Sequence, residues 1–415
     1  MTRPQGMRIL LLTPSLPWPP MWGFNIRVFN ILRQLSARNQ VSLLCYEGAE
    51  HSVEARERLG GICEHIFTVP DVERSILQRR LMQARAMISP ESFHLQRYVS
   101  APMQARLTRV LHEGAYDLVQ VESSAMAGFD FGHTPMVLDE HNLEYELLRR
   151  SNAVEGSPIR RAFAANECRK VEREEISTWQ RAKGCVLTSE REEAIVAGVA
   201  PDVPTAVVPN GVALDYFQPA ASPITRGSIV FTGLMTYRPN ADGVSYFIRR
   251  ILPAIRASRP DAVFTAVGWG LPDDVRPLLG DGVFHTGRVE DIRPYVAKAS
   301  VVVVPLRIGS GTRLKVLEAL AMAKPVVSTT VGCEGLDVSH GEHLLIADEP
   351  AAFAASVVRL LEDPAEAASL GRRGRTLVES RYGWEQSVAE LERFHNSLFE
   401  TQTKLPQPAV EAGKR

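Results

Sequence analysis

The sequence has no apolar run near the roughly 18 residues that a membrane-spanning helix requires. Its opening apolar run, in "MTRPQGMRILLLTPSLPWPP", is too short for a signal peptide and is followed at once by prolines. Cysteine is scarce: five residues, Cys45, Cys63, Cys168, Cys185 and Cys333, with no C-x-x-C and no paired spacing. That gives no disulfide framework and suits reduced thiols used as small core residues in a cytoplasmic chain. Net charge is nearly absent, at -1, so nothing global points to a nucleic-acid partner. The histidines are dispersed without zinc-type spacing, and no D-x-D is present to hold a nucleotide through a divalent ion, so no metal is expected. There is no GxxxxGK[ST] phosphate loop.

What is present is alternation. Short apolar runs ("RILLLT", "QVSLLCY", "YDLVQVES", "TPMVLDE", "GCVLTSE", "TAVVPNG") are separated by helical patterns such as "NIRVFNILRQLSAR" and "IRRAFAANECRKVEREEISTWQRAKG". Ser189 with Glu192 reads as a capping box opening the next helix. Prolines and small polar residues mark a linker at 215–227. A second series follows: "SIVFTGLM", a helix over 241–257, "AVFTAVG", "VFHTG", a helix in "VEDIRPYVAKA", "SVVVVPL", another helix, "PVVST" and "HLLIAD". A chain of 415 residues is long for one domain. The expected fold is therefore α/β: two Rossmann-like, doubly wound parallel-sheet domains, at 1–214 and 228–381, with a disordered tail at 400–415.

Residues 74–88, "RSILQRRLMQARAMI", carry four arginines and no acid. Such a helix can lie on an anionic membrane surface, or simply pack by one face as a domain helix.

The stretch "VVVVPLRIGSGTRLKVLEALAMAKPVVST" carries the sharpest chemistry. Ligands in open parallel sheets bind beyond the carboxyl ends of the strands. A helix N-terminus favours an anion there, glycines permit close approach, and Arg313 and Lys315 add charge, so "GSGTRLK" reads as a diphosphate cradle. At about 100° per residue, Leu314, Leu317, Leu320 and Ala321 form one stripe, with Lys315 and Glu318 opposite or at its border. Those two, three apart, could grip a phosphate and a sugar hydroxyl pair, or form a solvated salt bridge. Leu314 stands where a dinucleotide fingerprint needs its third glycine.

These residues resemble a known family. "VFHTGRVEDIRPYVAKASVVVVPLRIGSGTRLKVLEALAMAKPVVSTTVGCEGLDV" closely resembles the C-terminal domain of glycosyltransferase family 4, the retaining family of GT-B fold. "VVPNGVALDYF", "RILLLTPSLPWPP...GFNIRVFNILRQLS" and "VLDEHNLEYELLRR" resemble its inter-domain, first-strand and acceptor-side segments. The resemblance implies two domains facing a central cleft, with donor nucleotide on the C-terminal side, acceptor on the N-terminal side, and a last helix (382–399) returning to the N-terminal domain. It implies a metal-independent sugar transferase with no cofactor beyond a nucleotide-diphosphate sugar donor, acting on a glycan or lipid-linked acceptor. In such a case the protein would be cytoplasmic, or peripheral on the inner membrane face through residues 74–88.

Residue by residue, Glu318 matches the second glutamate of the family's E-x7-E motif, a ribose-binding carboxylate. The first falls at Ser310, where the carboxylate is missing. Ser310, Gly311 and Thr312 could still hold sugar hydroxyls or phosphate. The family's Arg and Lys after the first strand of this domain correspond to Arg238 and, near the lysine, Asn240. Arg313 and Lys315 would then neutralise the diphosphate. Gly23 and Phe24 replace the usual Gly-Gly, with Phe24 packing or stacking on the acceptor. His141 matches a histidine near the donor sugar, and Glu144 lies on the acceptor side or faces solvent. Glu122 could line the cleft, and Asn210-Gly211 could touch ligand. A nucleotide-sugar 2-epimerase and a non-catalytic GT-B subunit share the fold and stay as alternatives.

Overall fold

The computed structural model describes residues 6–48, 52–71 and 76–400 and contains two parallel sheets. The N-terminal sheet has β1 (Arg8–Thr13), β2 (Gln40–Glu47), β3 (Ile66–Pro70), β4 (Leu118–Glu122), β5 (Met136–Glu140), β6 (Gly184–Leu187) and β7 (Thr205–Val207), in the order β3-β2-β1-β4-β5-β6-β7. The C-terminal sheet has β8 (Ser228–Thr232), β9 (Val263–Val267), β10 (Val283–His285), β11 (Val301–Val304), β12 (Val326–Ser328) and β13 (Leu345–Ile346), in the order β10-β9-β8-β11-β12-β13. The expected doubly wound α/β architecture is therefore present twice. Strand order reverses between β1 and β4, and again between β8 and β11, and each reversal opens a crevice at the carboxyl ends of the strands.

The strands read as apolar runs because both faces are covered. Successive residues point to opposite faces. Ile9 and Leu11 join a core with the helices Gly23–Leu35 and Trp384–Glu400. Leu10 and Leu12 join the other, with Val171 and Trp179 of the helix Pro158–Arg181. The edge strand β3 had no clear sequence signature: four of its five residues are only partly buried or exposed, so strong apolar patterning was not required of it.

Three local expectations are adjusted. The helix expected over 241–257 runs as Arg238–Tyr246, a π turn Phe247–Ile251, and Leu252–Ser258. Pro253 offers no N–H to the carbonyl four residues back and its ring crowds that turn, so the helix widens there. The helix in "VEDIRPYVAKA" is only Arg293–Lys298. In the helix Leu314–Ala321, Val316 and Ala319 are buried along with Leu317, Leu320 and Ala321, while Leu314 is only partly buried. A second helix, Pro364–Arg381, packs against it, so burial is broader than one stripe.

The linker leaves the N-terminal domain past Gly211, whose Cβ would lie 2.7 Å from the Trp384 ring, and Val212 N–H donates to the Tyr382 carbonyl at 2.7 Å. The following helix, Trp384–Glu400, then covers the N-terminal sheet with Val388, Leu391, Phe394 and Leu398. All five cysteines are free and buried. Among the described residues no helix is long and apolar enough to cross a membrane. Arg74 and the tail beyond Glu400 lie outside the described residues.

Candidate functional site

The glycine loop leaves β11 beside the β8–β11 reversal and enters the helix Leu314–Ala321. Arg313 is its N-cap residue and makes no side-chain cap, so the opening turn keeps N–H groups for another acceptor. The two glycines answer first to the protein's own contacts. A Cβ on Gly309 would lie 2.0 Å from Arg313 Nη2. Gly311 has φ +71°, and its Cβ would lie 2.4 Å from the His141 carbonyl oxygen of the opposite domain.

Arg313 is buried and turned back into its own loop, donating to the Ser310 carbonyl and, at 2.6 Å, to the Gly311 carbonyl. Its Nη2 has no partner among the described residues. Burial holds its pKa below the usual guanidinium value.

Lys315 does not pair with Glu318. Its Nζ donates to Asn240 Oδ1 at 2.6 Å and lies 4.0 Å from the Phe231 ring centroid. Gly233, at the end of β8, leaves room for both: a Cβ there would lie 2.8 Å from Asn240 Nδ2 and 2.9 Å from Lys315 Nζ. Enclosure by protein lowers the Lys315 pKa to about 7 and raises that of Glu318 to about 7. Glu318 remains partly exposed, and its carboxylate makes no hydrogen bond among the described residues.

On the N-terminal side, Gly23 opens the helix Gly23–Leu35, exposed and directed at Leu314 across the cleft. Phe24 lies over His141, with ring centroids 4.7 Å apart. His141 Nε2 is 2.7 Å from Glu122 Oε2 and 3.9 Å from Asp139 Oδ2. Glu122 therefore does not line the cleft: it is wholly buried behind His141, and burial raises its pKa. Glu144 is half-buried at the first turn of the helix Glu144–Ala153, and its N–H donates to Glu175 Oε1 at 2.9 Å. Arg238 is held by the N-terminal half of the chain, donating to the Ser151 carbonyl at 3.1 Å and to Glu155 at 3.2 Å.

Arg27 and Asp139 escaped the sequence reading. Arg27 forms a buried two-point ion pair with Asp139, at 2.8 and 3.1 Å, and donates to Asn210 Oδ1 at 3.1 Å. Asn210 Nδ2 continues the line to Thr312 Oγ1 at 2.8 Å, so the "NG" turn touches the glycine loop. Glu122, Asp139 and His141 bring ligand-type atoms within 4.8 Å of one another. Arg27 already balances Asp139 and His141 holds Glu122, so the cluster is arranged as a self-satisfied network.

Glu192 is the larger surprise. The expected cap is present, since Ser189 Oγ accepts the Glu192 N–H at 3.4 Å. Its carboxylate goes further, accepting from Gly311 N–H at 2.9 Å and from Ser310 Oγ at 3.3 Å. Ser310 Oγ also accepts the Leu143 N–H at 3.0 Å. A carboxylate thus arrives from the other domain at the position where the resemblance led one to expect it on the loop itself. No local pattern could announce a contact between residues more than 100 positions apart. Below the 141–145 loop, burial pushes Glu140 up to about 8 and Glu175 well above its ordinary range. At the end of β9, Trp269 is flanked by glycines and 60% exposed beside the same crevice, its carbonyl accepting the Met235 N–H at 2.7 Å.

Comparisons with known proteins bear on the fold and on the domain that carries the glycine loop. Residues 226–363, which contain the glycine loop, match the family described as Glycosyl transferases group 1. A GDP-mannose-dependent phosphatidylinositol monomannoside mannosyltransferase of Corynebacterium glutamicum is 28% identical over 203 residues, 43% of this chain and 52% of that protein. An uncharacterised protein of the cps region of Klebsiella pneumoniae is 25% identical over 140 residues, 32% of this chain and 36% of that one. The chain thus spans about a third to a half of the length of these curated relatives. Sucrose-phosphate synthase of Thermosynechococcus elongatus superposes with a TM-score of 0.71 at 21% identity, covering 95% of this chain and 100% of that one. HepE of Anabaena, in complex with UDP, superposes at 0.65 with 17% identity, covering 96% and 100%. The fold is GT-B.

Proposed function

We propose that this protein is a retaining, metal-independent glycosyltransferase that moves a sugar from a nucleotide-diphosphate sugar to a glycan or lipid-linked acceptor. One observation carries the reading. Lys315 and Glu318 stand on the helix that opens from the glycine loop, and Glu318 has no hydrogen-bond partner among the described residues. Both have pKa values drawn toward neutrality, as expected of charges enclosed without their full complement of partners. A diphosphate on the helix N-terminus and Lys315, with ribose hydroxyls on Glu318, would complete the set. The HepE neighbour was solved with UDP, and the mannosyltransferase relative is named for GDP-mannose, so nucleotide donors of this kind are the natural ligands to try.

In the proposed reaction the bond from the sugar C1 to the β-phosphate oxygen breaks, and the electron pair leaves on the diphosphate. Lys315 and the helix N-terminus stabilise that charge electrostatically. The acceptor oxygen bonds to C1 on the same face, and its proton passes to the departing phosphate. Gly311, Ser310 and Thr312 shape the donor-sugar wall, with Glu192 supplying a carboxylate. Arg313 pins the loop through the Ser310 and Gly311 carbonyls. His141, held by Glu122 and covered by Phe24, borders the sugar, Gly23 lets the diphosphate approach, and Glu144 belongs to the acceptor side. Arg238 serves through its contact with Glu155. Trp269 offers a face on which the base can stack.

A second reading is a non-catalytic nucleotide-binding subunit. It is favoured by Ser310 and Asn240 standing where the resembled family has a glutamate and a lysine. The test is thermal stabilisation by UDP, GDP, ADP and dTDP, followed by product analysis with the matching sugar donors. One nucleotide should stabilise the wild type and not Glu318→Ala. Binding with no transfer or donor hydrolysis favours the subunit reading, a C2-inverted sugar favours an epimerase, and no binding overturns the site.

A further inference from the structure

The helix Ile76–Ile88 is docked by the side one would expect to face water. Ala86 is fully buried, and its carbonyl accepts from Lys170 Nζ. Asn166 Nδ2 donates to the Met87 carbonyl at 3.5 Å, and Arg173 donates to the Pro90 carbonyl at 2.6 Å. The helix is thus fixed on the helix Pro158–Arg181 through its C-terminal end and a thin inner face.

Met82 is partly buried, but Leu77, Leu81, Met87 and Ile88 are exposed. Leu77 is 67% exposed, Leu81 61% and Ile88 89%. At about 100° per residue, positions 77, 81, 84 and 88 fall within an arc of about 60°, with Ala86 on the opposite side. Arg80 and Arg85, both exposed, lie about 40° outside that arc, one on each side. The stripe is about 16 Å long at 1.5 Å per residue. No aspartate or glutamate occurs between 76 and 88. Ile159 extends the surface: it is 84% exposed, is followed by Arg160 and Arg161, and lies two turns from Asn166 on the same face of its helix.

We propose that this face is a membrane-docking surface for an anionic bilayer. The helix lies in the interface plane, with Leu77, Leu81 and Ile88 in the headgroup-acyl boundary. Arg80 and Arg85 reach sideways to lipid phosphates. The charge pattern selects this occupant: an apolar stripe between two cations, with no acid, complements an anionic lipid surface. The proposal deepens the lipid-linked acceptor reading and rests on it. Glu175, five residues past Lys170 on the supporting helix, accepts the Glu144 and Tyr145 N–H groups beneath the 141–145 loop. A bilayer held here stands beside the acceptor side.

The test uses the purified full chain with phosphatidylcholine vesicles and with vesicles containing phosphatidylglycerol as well. Sedimentation with the anionic vesicles alone, weakened by salt, is expected. Arg80→Ala with Arg85→Ala should weaken partitioning about 25-fold, about five-fold for each cation. Leu81→Glu with Ile88→Glu should abolish it. Nucleotide stabilisation, measured in parallel, should match wild type in every variant, so folding and the donor-site reading are judged separately. The proposal is overturned if the chain stays in the supernatant with anionic vesicles, if the variants sediment like wild type, or if Leu81→Glu with Ile88→Glu instead dissociates a dimer in vesicle-free solution.

Discussion

The two sides of the cleft use ionisable residues in opposite ways. On the N-terminal side, Glu122, His141, Asp139 and Arg27 are buried and bonded to one another, with Asn210 carrying the line across to Thr312. On the C-terminal side, Glu318 has no hydrogen-bond partner among the described residues, and Lys315 meets only a neutral amide oxygen and the face of Phe231. A saturated network fixes position, whereas an unsaturated pair keeps capacity for further contacts. The difference separates side chains already held by protein from side chains left with few partners, although both sets are enclosed and acidic or basic.

The largest effect tests the saturated side. Arg27→Ala leaves Asp139 buried without its cation, and should destabilise the fold by about 3–5 kcal/mol in denaturant unfolding. A loss below about 1 kcal/mol would show that the N-terminal network is not closed as described.

The unsaturated side should respond to ligand instead. In wild type, the preferred nucleotide at about 100 times its Kd should add about 2.7 kcal/mol. Glu318→Ala should lose most of that gain with little change in unliganded stability. If the unliganded protein is instead strongly destabilised, Glu318 is a structural residue and the contrast between the two sides fails.

Next comes the seam between them. Gly311→Ala places a methyl 2.4 Å from the His141 carbonyl at φ +71°, which should cost about 1–3 kcal/mol and weaken donor binding. Unchanged stability and affinity would show that the loop does not need this close approach.

The pH dependence sharpens the contrast by sign. The Glu318 pKa is raised from 4.5 to about 7, so between those values the folded state holds the extra proton and stability falls as pH rises. The Lys315 pKa is lowered from 10.5 to about 7, so over that range the unfolded state holds the extra proton and stability rises with pH. The pair's contribution to the unliganded protein is therefore least favourable near pH 7, where a diphosphate and ribose would bind. Glu318→Gln should remove the falling limb and Lys315→Met the rising one, as read from unfolding midpoints across pH.

The smallest effect belongs to the exposed rim. Arg238→Ala breaks a partly exposed contact with Glu155 and should change stability by about 0–1 kcal/mol. A strong loss of nucleotide binding in this variant would move Arg238 from the rim into the donor site.

Much of the fold was legible because its signals are local. "RILLLT" and "SVVVVPL" are strands buried on both faces, and such strands need continuous apolar runs whatever surrounds them. The glycine loop, Lys315 and Glu318 were visible for the same reason: a strand, a glycine turn and a helix follow one another between Val301 and Ala321. The π turn at Phe247–Ile251 and the edge strand β3 were not, since the first is a small change in helical winding and the second lacks the apolar pattern.

By itself, then, the sequence determined two parallel α/β halves and a cradle of glycine, cation and carboxylate on one of them, through period, propensity and spacing. Only the tertiary structure decided the partners. It turned Arg313 back onto its own loop, gave Lys315 to Asn240 rather than Glu318, and brought Glu192 to Ser310 from the opposite domain. It also left Leu77, Leu81 and Ile88 outside when the helix docked through Ala86. Period shows which residues share a face. Which face is covered, and by what, depends on contacts between residues far apart in the chain, and those are settled only when the domains close together.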